Sequence, residues 1–290
     1  MQLTQTIKLR IIGQYCLLFY ALMIFKWFNG MFLYQLQPIF FFTTLDFTTW
    51  LVMLTNLHKW LLQDSSRLLL ADLIFYILPI VYYLINIKKS RLSFITAVLM
   101  LLVNYMYVTI YCSYPSNSLQ GHIAWLFFPF LFMAQSLRTF WFLLNGLRYY
   151  FLYFFFSAGI WKLVQHGFFY SETMSGILQM QHKSILTDTG KTSVRADIYN
   201  WLITQPLISS FLYRAATLSE LFFGVGFFTK KYDYFIALIF LLFLVFNVFL
   251  MRISYWEITP FLLTLYYSKL LIPLNNEAEI QPNNKTLITI

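Results

Sequence analysis

Eight apolar runs divide the chain, covering residues 10–28, 68–87, 92–112, 122–142, 147–165, 207–228, 232–252 and 255–272. Each comes close to the roughly twenty helical residues that cross a bilayer core. The pattern predicts an all-α integral membrane protein with about eight transmembrane helices in one bundle. The fourth run contains Pro129, which kinks a membrane helix but need not break it inside a bundle. The first run follows Lys8 and Arg10 and leads into KWFNG, with no small-residue cleavage pattern. It therefore reads as an uncleaved span and not as a signal peptide.

Two polar or mixed segments interrupt the runs. Residues 29–67 mix apolar stretches with Asp46, His58, Lys59 and Asp64, which suits interfacial or re-entrant helices. Residues 166–206 are the truly polar stretch, with His166, Glu172, His182, Lys183, Asp188, Lys191, Arg195 and Asp197. The expected organisation is one transmembrane domain over 1–273, its core at about 120–270 with the loop 166–206, followed by a short polar tail at 274–290.

Composition agrees with the pattern. Hydrophobic residues make up 60% of the chain and charged residues 11%, whereas about a quarter of a soluble domain is charged. Aromatic residues reach 21% and are expected to fill helix contacts and interfacial belts. A net charge of +9 is explained by Lys and Arg in cytoplasmic loops, so nucleic acid is discounted and the expected surroundings are a lipid bilayer. With the N-terminus inside, the cytoplasmic side receives Lys8, Arg10, Lys88, Lys89, Arg91, Arg138, Arg148, Lys230 and Lys231. The opposite short loops receive only Arg252, an asymmetry that places both termini in the cytoplasm and the two long segments outside. On this topology His122 and Lys162 fall near the same, non-cytoplasmic face. Cys16 and Cys112 lie on different runs without ligand spacing and indicate neither a disulfide framework nor a metal site.

The candidate chemistry is sparse. SAGIWKL closes the fifth run, where Trp161 and Lys162 read either as an interfacial anchor or as a desolvated amine at a pocket mouth. Ser157, Ala158 and Gly159 allow another helix to approach closely. Glu220 sits inside the sixth run, where an isolated carboxylate costs several kcal/mol and needs a partner or water. Arg252 and Glu257 are placed to form an interfacial ion pair, and Asn247 to make a helix–helix hydrogen bond. His122 opens a span as a capping or solvated group, and His166 and His182 lack a second metal ligand at helical spacing. DTGKTS at 188–193 lacks the earlier glycine of a phosphate loop and reads as a polar turn.

Several of these segments resemble the HTTM family of membrane proteins, which includes vitamin K-dependent gamma-glutamyl carboxylase. FFFSAGIWKL is similar to that family's lysine segment, GHIAWLFFPFLFMAQSLRTFW to the preceding helix, ATLSELFFGVGFF to the acidic helix and FNVFLMRISYWEITPFLL to the last helix pair. The resemblance implies Lys162 as catalytic base, His122 as the group that orients or polarises a quinone oxygen, and Glu220 as the acid that tunes the cavity. Trp161, Asn247, Tyr150 and Glu257 would line the pocket. Asn247 and Tyr150 depart from the family pattern, and no large domain follows the last run. Gamma-carboxylation by this chain alone is therefore not expected.

Two functional readings follow from the sequence. The first is a membrane enzyme or redox module with a quinone or other lipid-soluble substrate, placed in a bacterial cytoplasmic membrane with its pocket facing the periplasm. The second is a non-enzymatic scaffold whose segment 166–206 docks another protein.

Overall fold

Thr4 starts the first helix by accepting a hydrogen bond from the Ile7 amide at 3.3 Å, and α1 then runs over Gln5–Phe28. The computed structural model describes residues 2–36, 47–88, 92–114, 119–187 and 194–271. Asp46, Lys89, Arg91, the turn at 188–193 with Asp188 and Lys191, and the tail at 274–290 lie outside the described residues. Among the described residues the regular structure is helical and contains no strand.

After α1 come the short helices α2 (Phe47–Leu54) and α3 (Leu57–Leu62), then α4 (Ser65–Ile87) and α5 (Leu92–Tyr111). Next are α6 (Leu119–Phe132), α7 (Leu137–Val164), α8 (Thr173–Gln181), α9 (Lys183–Leu186) and α10 (Val194–Thr204). The chain finishes with α11 (Pro206–Phe222), α12 (Asp233–Phe246) and α13 (Phe261–Leu270). Among the described residues four stretches are long and apolar enough to cross a membrane: Gln5–Gln35, Ser65–Ile87, Leu92–Tyr111 and Asp233–Met251. Gly121–Phe132 is apolar but shorter.

Side chains fasten these helices where the backbone leaves groups unpaired. Pro79 interrupts the ladder of α4 because it has no N–H. The Tyr20 hydroxyl from α1 fits beside it, donating to the Tyr76 carbonyl at 2.7 Å and accepting from the Ile80 amide at 3.1 Å. Aromatic rings fill the centre: Phe151, Phe155, Phe223, Phe240 and Phe261 are buried and in mutual ring contact.

The structure differs from the sequence expectation in three places. The turn between the fourth and fifth runs falls at 133–136, not at 143–146, because Ser136 caps α7 through the Thr139 amide at 3.0 Å. Arg148 is consequently not a loop charge. It lies within α7, fully buried, and both Arg148 and Lys8, itself buried, drop out of the solvated charges used to argue orientation. Thirdly, the described part of 166–206 is no free loop: Met174, Leu178 and Leu202 of α8 and α10 bury themselves in a small apolar cluster of their own.

Candidate functional site

Gly159 lies on α7 where a Cβ would come within 3.0 Å of the Leu221 side chain and 3.1 Å of its backbone nitrogen. A Cβ here would press on Leu221 by a few tenths of an ångström, so the glycine favours the close approach of α7 and α11. The contact brings Lys162, one turn after Gly159, to Glu220, the residue before Leu221. The ammonium donates to Glu220 Oε1 at 2.6 Å and to Oε2 at 2.8 Å. The small residues of SAGIWKL thus set a helix contact that forms an ion pair. The lysine side chain is 27% exposed and the glutamate 3%, so the carboxylate is buried while the amine is reachable.

What reaches the amine is cavity. One cavity of about 580 Å³ has Ser157, Ala158, Lys162, Glu220, Asn247 and Tyr255 in its wall. A second of about 590 Å³ is walled by Lys162, Tyr213, Ser219, Leu242, Phe246 and Leu250 among others. Ala158, Trp161, Lys162, Phe243 and Asn247 border both. The Lys162 ammonium and the Asn247 amide therefore stand at the partition of two largely apolar spaces. Asn247 Nδ2 is buried and without a hydrogen-bond partner. An unpartnered buried donor costs about 1–3 kcal/mol unless an incoming acceptor fills it.

Asn247 owes its position to a change of helix type. Beyond α12 the chain forms a π-helical turn over Asn247–Met251, a geometry that recurs at functional positions. Its carbonyls are taken up by the segment after α7. Tyr199 Oη donates to Phe249 O at 3.0 Å, His182 Nε2 to Leu250 O at 2.7 Å and Gln181 Nε2 to Met251 O at 2.6 Å. His182 also stacks on Tyr199 with ring centroids 3.8 Å apart. Segment 166–206 therefore closes the end of α12 beside the cavities.

His122 belongs to another cluster. Its Nε2 lies 3.4 Å from Lys26 Nζ and 3.6 Å from Glu257 Oε1, and Nδ1 lies 3.7 Å from Cys112 Sγ. Lys26 pairs with Glu257 at 2.7 Å and donates to the Tyr111 hydroxyl at 2.9 Å. Lys26, His122 and Glu257 are all buried. Glu257 thus pairs with Lys26 and not, as its sequence neighbourhood suggested, with Arg252. The 3₁₀ turn Trp256–Ile258 links the clusters, because Glu257 faces Lys26 while Tyr255 and Ile258 face the Lys162 cavity. Tyr150 packs between Phe127 and Phe261 and lies outside the walls of both cavities.

Sequence reasoning missed three buried charges. Lys26 lies inside the first run, in KWFNG, and pairs with Glu257. Asp72 accepts from the Leu33 and Tyr34 amides and the Tyr107 hydroxyl at 3.1, 3.0 and 2.6 Å. Asp233 holds Arg148 through two bonds of 2.8 and 2.6 Å, with both side chains fully buried. An acid inside an apolar run was a usable signal for Asp72, as it was for Glu220. No protein-family model matches the chain, and no curated protein or solved structure matches it.

Proposed function

We propose that the chain is an HTTM-like membrane enzyme or redox module that takes a lipid-soluble, oxygen-bearing substrate such as a quinone, with base chemistry centred on Lys162. The observation that carries this reading is the Lys162–Glu220 pair at the partition of two apolar cavities, beside the unpartnered Asn247 amide. Apolar walls with a few converging polar groups are the usual make-up of a small-molecule site. A substrate oxygen in this space would meet the lysine directly, and a turn of the Asn247 side chain would bring its unpartnered Nδ2 to the same oxygen.

The ion pair supplies a route to a base. Transfer of one proton from the ammonium to Glu220 converts ammonium and carboxylate into amine and carboxylic acid with no change in net charge. The free amine then takes a proton from a substrate O–H, which in the quinone case is a hydroxyl of the reduced hydroquinone, and the resulting anion is held beside the renewed ammonium. His122 acts at a distance in this reading, through Glu257 and the turn that carries Tyr255 and Ile258. The non-cytoplasmic placement of the pocket belongs to the same proposal.

Trp161 borders both cavities and provides the test. A short-chain naphthoquinone added to the purified full-length protein is expected to quench tryptophan fluorescence saturably. Removing a hydrogen bond to a charged group costs about 1.5–3 kcal/mol, so Lys162→Ala should weaken quenching at least tenfold while the melting profile stays cooperative. Equal quenching by the wild type and by Lys162→Ala, with no lipid-soluble compound co-purifying, would sink the reading.

A further inference from the structure

A third cavity, of about 490 Å³, lies at the far end of α12 and does not include Lys162. Its polar wall comprises Arg195 from α10 together with Tyr199, Arg252, Ser254 and Trp256. Its floor is formed by Val245 at the end of α12 and by Val248 and Phe249 of the π-helical turn, which are 52%, 40% and 55% exposed. We infer that this cavity binds the phosphate of an anionic phospholipid, with Arg195 and Arg252 on the headgroup and an acyl chain along the apolar floor.

Charge carries the first half of the argument. Among the described residues neither guanidinium has an ion pair or hydrogen bond. Among the described residues the nearby acids do not neutralise them. Glu257 is committed to Lys26, and Asp197, two residues from Arg195, lies on a different face of α10 and outside the cavity wall. Two uncompensated guanidiniums beside a serine hydroxyl match a phosphate, which takes paired N–H donors in a planar fork.

Depth carries the second half. Asp233–Met251 is a membrane-length helix of 19 residues, and Arg252 follows its last residue. At 1.5 Å per residue such a span matches a hydrocarbon core of about 30 Å, so Arg252 sits at headgroup level. Trp256 at the same rim is the residue type that settles at membrane interfaces.

The site is also built and not merely exposed. Arg252 holds a left-handed backbone conformation at φ 53°, fixed by its N–H donating to the Asn247 carbonyl. Side chains other than glycine rarely take this conformation unless the surroundings impose it. Tyr199 is locked by its bond to the Phe249 carbonyl, so both walls of the cavity hang on the π-helical turn. The apolar floor favours a lipid over free phosphate as the source of the anion.

The test uses the full chain in nanodiscs made of equal parts phosphatidylglycerol and phosphatidylcholine. After exchange into detergent, native mass spectrometry measures the ratio of the two lipids retained. The wild type is expected to retain phosphatidylglycerol preferentially, and each arginine replaced by glutamine should reduce the preference about fivefold. Arg195→Gln/Arg252→Gln should bring it near unity. Arg138→Gln, which removes an exposed charge elsewhere, should leave it unchanged. Arg195→Gln alone provides the reading if the double variant fails to fold. Arg252→Lys, which keeps the charge but loses the fork, should fall between. Two results would overturn the inference: equal retention of the two lipids by the wild type, or an unchanged preference in the folded arginine variants. Inorganic phosphate titrated into lipid-depleted protein separates the two sources. Saturable binding that displaces phosphatidylglycerol would assign the site to free phosphate and overturn the lipid.

Discussion

Two buried lysine–glutamate pairs lie on opposite sides of the turn Trp256–Ile258, and they are built differently. Lys26–Glu257 is closed: both side chains are buried, and Tyr111, His122 and Trp125 surround the ammonium. Lys162–Glu220 is open, with a buried carboxylate and an amine facing two cavities. In the closed pair the cost of burying both charges is offset by their mutual attraction and by the bond to Tyr111, so its role is to fix α1, α6 and the turn in register. An open pair has the same Coulomb attraction but keeps one side for a ligand. The contrast shows that a buried charge in an apolar helix marks function only when something can reach it.

The largest effect is expected at Arg148–Asp233, a fully enclosed pair. Arg148→Leu leaves Asp233 buried and unpaired, which should cost about 3–5 kcal/mol, read from the thermal unfolding of the solubilised protein. Lys26→Met alone should lose a similar amount, whereas Lys26→Met/Glu257→Leu should recover most of it, because apolar replacement of both partners is often neutral. A double variant no more stable than the single ones would contradict the register-fixing role of the closed pair.

Smaller effects sharpen the open pair. Gly159→Ala overpacks the α7–α11 contact and is expected to cost about 1–3 kcal/mol, together with weaker naphthoquinone quenching as Lys162 and Glu220 are forced apart. Asn247→Leu removes an unpartnered buried donor, so the protein should gain about 1–3 kcal/mol of stability while quenching weakens. Comparing melting temperature with quenching in these two variants separates a packing role from a binding role.

Much of the helical layout was legible beforehand. The starts of the helices at Ser65, Leu92 and Pro206 fall within a few residues of the expected runs, because a run of apolar side chains and a cap are local properties. The turn at 133–136 was misplaced because Ser136 is a short polar cap inside a nearly continuous apolar stretch. Lys162, Glu220 and Asn247 were singled out as chemically awkward in an apolar helix, and the structure brings those three together. His122 was assigned to the same group but sits with Lys26, a partner 96 residues earlier. Segment 166–206 looked available to a partner because it is polar, although Gln181, His182 and Tyr199 are used on the carbonyls of the π-helical turn.

The sequence by itself determined a helical chain of membrane character, since hydrophobic run length acts on each segment without reference to any other. It also marked Glu220 and Asn247 as polar side chains that would need partners in an apolar setting. Only the tertiary structure decided which partners they found, which pair was sealed and which was left facing a cavity. Those outcomes depend on the approach of helices far apart in sequence, and at Lys162 the deciding distance was set by the missing side chain of Gly159.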